Sequence, residues 1–350
     1  MRFYKREHAF YCGVDLHAKT MHVCLVSAAG EKLVHRNLPT NRDKFLAVVG
    51  PYARQDLAVG CECLFSWYWL ADLCAQQHIA FVLGHALYMK AIHGGKTKND
   101  TVDSEKIAML LRGGMLPEAY VYPQKMRATR DLLRRRMYLV HHRAEALAHV
   151  ENTRTQYNLP AFEKRLCYAA NRQGAAERFD DPSASRSVEV DLRLVDHLDE
   201  QIRELELYLE HAAKLDDPRT LYLLRSVPGI GKILALVMLY EIHDVRRFGR
   251  VGQFLSYARL VKCPHESAGK RSGSGGKKIG NPHLKWAFSE ATCLLLRQSP
   301  EAKALIEQLA TKHGKGKALS IVAARLARAV YLMLKRREPF DQEKFFRSTN

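Results

Sequence analysis

Acidic residues are the scarce class in this 350-residue chain, with 37 Asp and Glu against 55 Lys and Arg, a formal charge of +18 and a pI near 9.6. A surplus of that size suits a protein that neutralises many phosphates, and it predicts binding that weakens steeply with salt. A membrane surface attracts the same charge, but no apolar run approaches the length of a transmembrane helix. The opening Met1-Arg2-Phe3-Tyr4-Lys5-Arg6 also lacks the apolar core of a signal peptide, so no membrane is expected and the chain reads as cytoplasmic. Organised cysteine is missing too: of eight, most lie in apolar runs, and Cys61 and Cys63 are one residue apart with no matching His or Cys pair downstream. Buried thiols are expected rather than disulfides or structural zinc. A nucleotide P-loop is absent as well, because Lys277 as its lysine requires Gly at 271 and Ser or Thr at 278, where Arg271 and Lys278 stand. What remains is 47% hydrophobic, enough for ordinary cores in two or three domains.

Four acids occupy telling places. Asp15 ends the apolar run Phe10-Tyr11-Cys12-Gly13-Val14, and the run Met21 to Val26 follows after a polar break that lets it hairpin back. Glu62 closes Leu57-Ala58-Val59-Gly60-Cys61, just before a Trp67/Leu70/Leu73 pattern of helical period. Asp100 and Asp103, three apart, open a stretch with Ile107, Leu110 and Leu111 at helical spacing, so both face one way. Singly, each reads as a cap or turn residue. As a set at strand ends and a helix start they read as converging carboxylates, whose mutual repulsion a divalent cation relieves. Two oxygen-seeking ions, Mg²⁺ or alternatively Mn²⁺, about 4 Å apart are the expected cofactor for phosphodiester chemistry. The order of strands and helices over residues 9–123 predicts an α/β, RNase H-like domain.

Residues 124–215 turn helical. Arg127, Arg130, Arg134 and Arg135 lie in a basic amphipathic stretch where Asp131 is the one acid between Lys125 and Arg143. This is read as nucleic-acid contact in preference to a merely solvated face. Val195, Leu198, Ile202, Leu205 and Leu209 alternate three and four apart, a coiled-coil seam that serves an intramolecular hairpin or a dimer equally well. The mainly α region 216–345 opens with Val227-Pro228-Gly229-Ile230-Gly231-Lys232, of helix-hairpin-helix form. Gly229, Gly231 and Lys232 are expected to meet a phosphate, the alternative being a tight turn before a buried helix. From Cys263 to Asn281 a flexible loop is expected, with Lys270, Arg271, Lys277 and Lys278 closing over a nucleic-acid backbone. It carries Ser267, Ser272 and Ser274, and a hydroxyl needs a base or metal to become a nucleophile.

The blocks Cys12-Gly13-Val14-Asp15, Val59-Gly60-Cys61-Glu62, Lys96 to Asp103, Val227 to Gly231 and Pro264-His265-Glu266-Ser267 together resemble the DEDD transposases of bacterial insertion sequences, of the insertion-sequence-110 type. The resemblance runs from about residue 10 to 340. It implies a RuvC-like domain, a coiled-coil connector and a C-terminal domain bearing a catalytic serine. It further implies a recombinase that excises and reinserts an element, acting on double-stranded DNA at element ends and target and guided by a structured RNA. By the same likeness Asp15, Glu62, Asp100 and Asp103 hold metal, Ser267 becomes joined to DNA, and the site is shared within a homodimer or homotetramer. Two departures stand out: Cys63-Leu64-Phe65 replaces the usual Ala-Thr-Gly, and Ala268 replaces a usual Gly, which keeps Ser272 and Ser274 as alternatives to Ser267. The competing functions are a RuvC-like nuclease using water as nucleophile and a non-catalytic nucleic-acid binder.

Overall fold

The computed structural model describes residues 2–92, 100–261, 263–267, 270–275 and 279–347, with the backbone alone for Asp100, Thr101 and the strands within 263–275. The chain forms two compact units, Met1–Gln124 and Lys125–Asn350.

The first unit runs β1 (Phe10–Leu16), β2 (Thr20–Ser27), β3 (Lys32–Pro39), α1 (Arg42–Ala53), β4 (Leu57–Glu62), α2 (Tyr68–Gln76), β5 (Ala80–Gly84), α3 (Ala86–Ile92) and α4 (Asp100–Arg112). Its sheet has the order β3-β2-β1-β4-β5, with β1 antiparallel to β2 and parallel to β4, so it is a mixed α/β sheet. β1, β2 and β4 are apolar on both sides and covered on both, as central strands require. One face buries Cys12, Val14, Val23, Leu25, Val59 and Cys61 with Phe45, Val49 and Leu70 of α1 and α2. The other buries Tyr11, Cys24, Val26, Ala58 and Val82 with Ala108, Leu110 and Leu111 of α4. Cys12, Cys24, Cys61 and Cys74 are buried, and burial pushes the thiol of Cys24 up to about 11 and that of Cys74 up to about 12. Among the described residues, no helix is long and apolar enough to cross a membrane.

The second unit begins with two long helices, α5 (Gln124–Gln156) and α6 (Pro182–Asp216), followed by α7 (Pro218–Arg225), α8 (Lys232–Ile242) and α9 (Val251–Tyr257). A two-stranded hairpin, β6 (Cys263–Ser267) and β7 (Lys270–Gly275), precedes α10 (Pro282–Gln298), α11 (Pro300–His313), α12 (Lys315–Arg336) and α13 (Gln342–Arg347). Two ion pairs and a hydrogen bond join α5 to α6 in antiparallel order: Arg136 to Glu206 at 2.5 Å, Arg143 to Asp199 at 2.6 Å and His149 Nδ1 to Asp191 at 2.5 Å. Val195, Leu198, Ile202 and Leu209 are buried within the same chain, so the seam is used in an intramolecular hairpin of helices. α8 is apolar nearly all round and buried from Leu234 to Ile242, and α10 and α12 pack with it in one core. The expected flexible loop of residues 263–281 differs from the structure, in which Cys263↔Gly275 through Ser267↔Lys270 pair antiparallel. Its Gly and Ser content gives none of the alternating pattern by which a strand is read, and backbone pairing forms it nonetheless.

Candidate active site

In the first unit the site is built on two glycines. Gly13 and Gly60 face each other across the parallel β1–β4 pair. A Cβ added at Gly13 would lie 2.1 Å from the Ser104 carbonyl oxygen and 2.4 Å from the Ala108 nitrogen, so α4 rests directly on the backbone of β1. At Gly60 an added Cβ would meet Ile107 and Leu111 of α4 at 3.3 Å. Side chains alternate along a strand, so Asp15 and Glu62, each two residues beyond its glycine, project to the face that α4 covers. α4 runs opposite to β1, because Arg112 at its C-terminal end donates to the carbonyls of Ala28 and Ala29 beside the start of β1, at 2.9 and 3.2 Å. Its first turn, with Asp100 and Asp103, therefore lies toward the carboxyl end of β1, where Asp15 sits.

Asp15 is 6% exposed, and His17 Nε2 lies 3.3 Å from its carboxylate. His22, directly across the β1–β2 pair from Asp15, shares its face. Ser104 is fully buried, with its hydroxyl 3.4 Å from His35 Nε2, and Asp103 pairs with Lys106 at 3.2 Å. Among the described residues no three His, Cys, Asp or Glu side chains close into a ready metal cage, and the Asp100 side chain lies outside them. Strand alternation turns Asp15 and Glu62 to one face, and carboxylate oxygens are the donors that a hard divalent cation takes. His17 and His22 escaped the sequence reading. Their signal was the same alternation that placed Asp15, since His17 is two residues beyond it.

In the second unit, Ser267 lies at the end of β6, with its side chain outside the described set, as are those of Ser272, Ser274, Lys270 and Arg271. Lys277 and Lys278 fall outside the described residues. The hairpin leads into Asn281, which caps α10 through His283 and Leu284 amides at 2.9 and 3.1 Å and takes the Tyr257 carbonyl through its own N–H. Asn281 Nδ2 also donates to Glu241 at 2.7 Å. Glu241 is 1% exposed on α8 and receives Arg130 at 2.9 Å and Arg134 at 2.7 Å. Burial alone would raise its carboxyl, but the hydrogen bond from Arg134, the charges of Arg130 and Arg134 and the Asn281 amide hold it below the usual glutamate range.

The expected nucleic-acid residues thus divide. Arg130 and Arg134 are turned onto Glu241, and Arg127 is buried, whereas Arg135 is exposed over the Tyr138 ring at 5.1 Å. Gly229 has φ +85°, and an added Cβ would lie 2.5 Å from the Ala291 carbonyl oxygen; its N–H is taken by Gln298 at 3.0 Å. Gly229 is thereby a packing glycine, while Gly231 opens onto free space and Lys232 pairs with Glu210 at 3.0 Å. Replacing Glu241 by Gln leaves two arginines facing a neutral group and is expected to destabilise the second unit by about 3 kcal/mol, read by thermal melting. The lowered carboxyl contributes stability above the ordinary glutamate value of 4.5 and loses it as pH falls toward its folded value, so Glu241→Gln is also expected to flatten the acid side of the melting profile.

Two family profiles match the chain. A DEDD transposase profile of the IS110 type covers residues 12–158, and that of the Transposase IS116/IS110/IS902 family covers residues 221–307. The transposase for insertion sequence element IS1111A of Coxiella burnetii is 27% identical over 146 residues, 41% of this chain and 40% of that protein. An uncharacterized 44.8 kDa protein of insertion element IS116 from Streptomyces clavuligerus is 26% identical over 149 residues, 41% of this chain and 36% of its own length. The matched segments thus span about two fifths of these curated relatives.

Proposed function

This chain belongs to the DEDD transposases of the insertion-sequence-110 type, and on that footing we propose that it excises and inserts an insertion sequence by cleaving and rejoining double-stranded DNA. The observation that supports the reading is the seating of α4 on Gly13, with the Ser104 carbonyl directly over it, and on that footing the neighbouring Asp103 is taken to work with Asp15 and Glu62. The sheet order β3-β2-β1-β4-β5 with a parallel β1–β4 pair supports an RNase H-like first unit. Asp15, Glu62, Asp100 and Asp103 are the residues to hold divalent metal, Mg²⁺ or Mn²⁺, which supplies charge stabilisation for the phosphodiester under attack. His17 steadies the Asp15 carboxylate from 3.3 Å.

Ser267 is the proposed nucleophile. Its hydroxyl oxygen bonds to the scissile phosphorus and loses its proton to water, while the bond from phosphorus to the leaving deoxyribose oxygen breaks and that oxygen takes up a proton. One phosphodiester replaces another, so a later hydroxyl attack on the serine ester rejoins the strand without an outside energy source. A structured guide RNA and a dimer or tetramer belong to the same proposal, through the family likeness. The test is strand cleavage on a duplex carrying an element end, in which wild-type protein is expected to cut with Mg²⁺ and to stop in EDTA. Equal cutting in EDTA, or by Asp103→Asn in Mg²⁺, would remove the tetrad from the chemistry.

A further inference from the structure

The stretch 308–337 holds eight Lys and Arg and no Asp or Glu, the longest run in the chain without an acid. It covers the end of α11, the linking residue Gly314, the whole of α12 and its C-cap Arg337. One side of α12 is committed to the core through Ala318, Val322, Leu326, Val330 and Met333. The other side is cationic. Lys317, Arg328 and Lys335 are exposed and stand eleven and seven residues apart, which at 100° per residue puts them on one line along the helix. At 1.5 Å per residue that line is about 27 Å long. Lys315, the first residue of α12, and Lys312, in the last turn of α11, are also exposed and add charge at the start of the helix.

At the start of α12 this charge does nothing for the fold, whereas Lys335 in its last turn donates to the Tyr331 hydroxyl at 3.2 Å. Among the described residues Lys312, Lys315, Lys317 and Arg328 have no acidic partner, in contrast to Arg130, Arg134, Arg136 and Arg143 of α5, each held by a carboxylate. Lys315 and Lys317 also sit in the first turn of α12, where the helix dipole disfavours cations by about 0.3–1 kcal/mol each. Gly316 in that turn costs about 1 kcal/mol relative to Ala, and an added Cβ would touch nothing, so packing does not require it. Local rules broken together with no gain in the fold mark a surface kept for a ligand.

We infer that this face, from Lys312 along α12 to Lys335, is a docking surface for the phosphate backbone of duplex DNA, read without regard to sequence. Cations alone line it: no exposed aromatic side chain occurs between Lys312 and Arg337 to stack an unpaired base, which disfavours single strands. A length of about 27 Å matches roughly eight base pairs at 3.4 Å per step along each strand. The choice of DNA over RNA rests on the function proposed above.

The test compares two variants of equal charge change in the full chain. Lys315→Gln/Lys317→Gln/Arg328→Gln is set against Lys164→Gln/Arg165→Gln/Arg203→Gln, whose residues are exposed elsewhere in the second unit. Binding to a mixed-sequence 20-base-pair DNA duplex, and to an RNA duplex of the same sequence, is measured by fluorescence anisotropy over a salt series. The α12 variant is expected to bind DNA about 10- to 100-fold more weakly and to lower the slope of log K against log salt by about 2 to 3, with the control within about threefold of wild type. An unchanged slope, or an equal loss in the control, overturns the surface while leaving the transposase reading intact. Loss on RNA but not on DNA overturns the choice of partner. Failure of the wild type to bind DNA at all overturns both.

Discussion

Asp15→Asn is expected to cut strand cleavage by about 1,000-fold, the equivalent of roughly 4 kcal/mol of transition-state stabilisation, while leaving the fold intact. The substitution preserves size and hydrogen-bonding shape in a position only 6% exposed, and removes the one property that cation binding needs. Asp15 shares its sheet face with Glu62 and the first turn of α4, so loss of its charge relieves repulsion among acids in the metal-free protein. The melting temperature is therefore expected to hold or rise as activity disappears, the pattern of a residue kept for function at a cost to stability. Cleavage rates and thermal melts on the same preparation check both halves. Activity within tenfold of wild type would show that Asp15 is a strand-end residue and nothing more.

Gly13→Ala is the second large effect, and it works through geometry. Its added Cβ would meet two backbone atoms of α4, at 2.1 and 2.4 Å, and neither can rotate away. α4 must move by about 1 Å or more to restore ordinary contact distances. Overpacking of this kind costs about 1–3 kcal/mol, and a displacement of about 1 Å in a catalytic group lowers rate by about 100-fold. Gly60→Ala is the comparison: its added Cβ meets only side-chain atoms of Leu116, Ile107 and Leu111, at 3.1 to 3.3 Å, and these can adjust. The expected order is a severe loss of cleavage for Gly13→Ala and a mild one for Gly60→Ala, measured as rates together with melting temperature. Equal effects at the two sites would mean that α4 is not seated as described.

The positions of Asp15 and Glu62 were legible because a buried strand announces itself as an apolar run and the acid at its end breaks the run. Asp103 was legible from the helical spacing of Ile107, Leu110 and Leu111. The role of Gly13 was not, since a glycine inside an apolar run looks the same whether it fills space or admits a helix. The pairing of the α5 arginines was not legible for a different reason. A sequence window around Arg130 and Arg134 shows a basic face, whereas the carboxylate that consumes them, Glu241, lies 111 and 107 residues away near the end of a largely apolar helix. Glu206 and Asp199, which hold Arg136 and Arg143, are 70 and 56 residues off. Long-range pairing thus neutralises much of the charge on α5, whereas Lys315, Lys317 and Arg328 of α12 have no acidic partner among the described residues. The spacing of the α6 seam suits a hairpin or a dimer alike, and the ion pairs with α5 form the hairpin within one chain.

The central claim is that this chain joins itself to DNA through one serine before rejoining the strand. It is tested most directly by trapping on a suicide duplex from which the cleaved fragment is lost, with Mg²⁺ present, and mapping any adduct by peptide mass analysis. A phosphodiester on Ser267 is expected in the wild type, with no adduct in Ser267→Ala and none in Asp15→Asn. An adduct that persists in Ser267→Ala, or free DNA ends released with no adduct in the wild type, would contradict it.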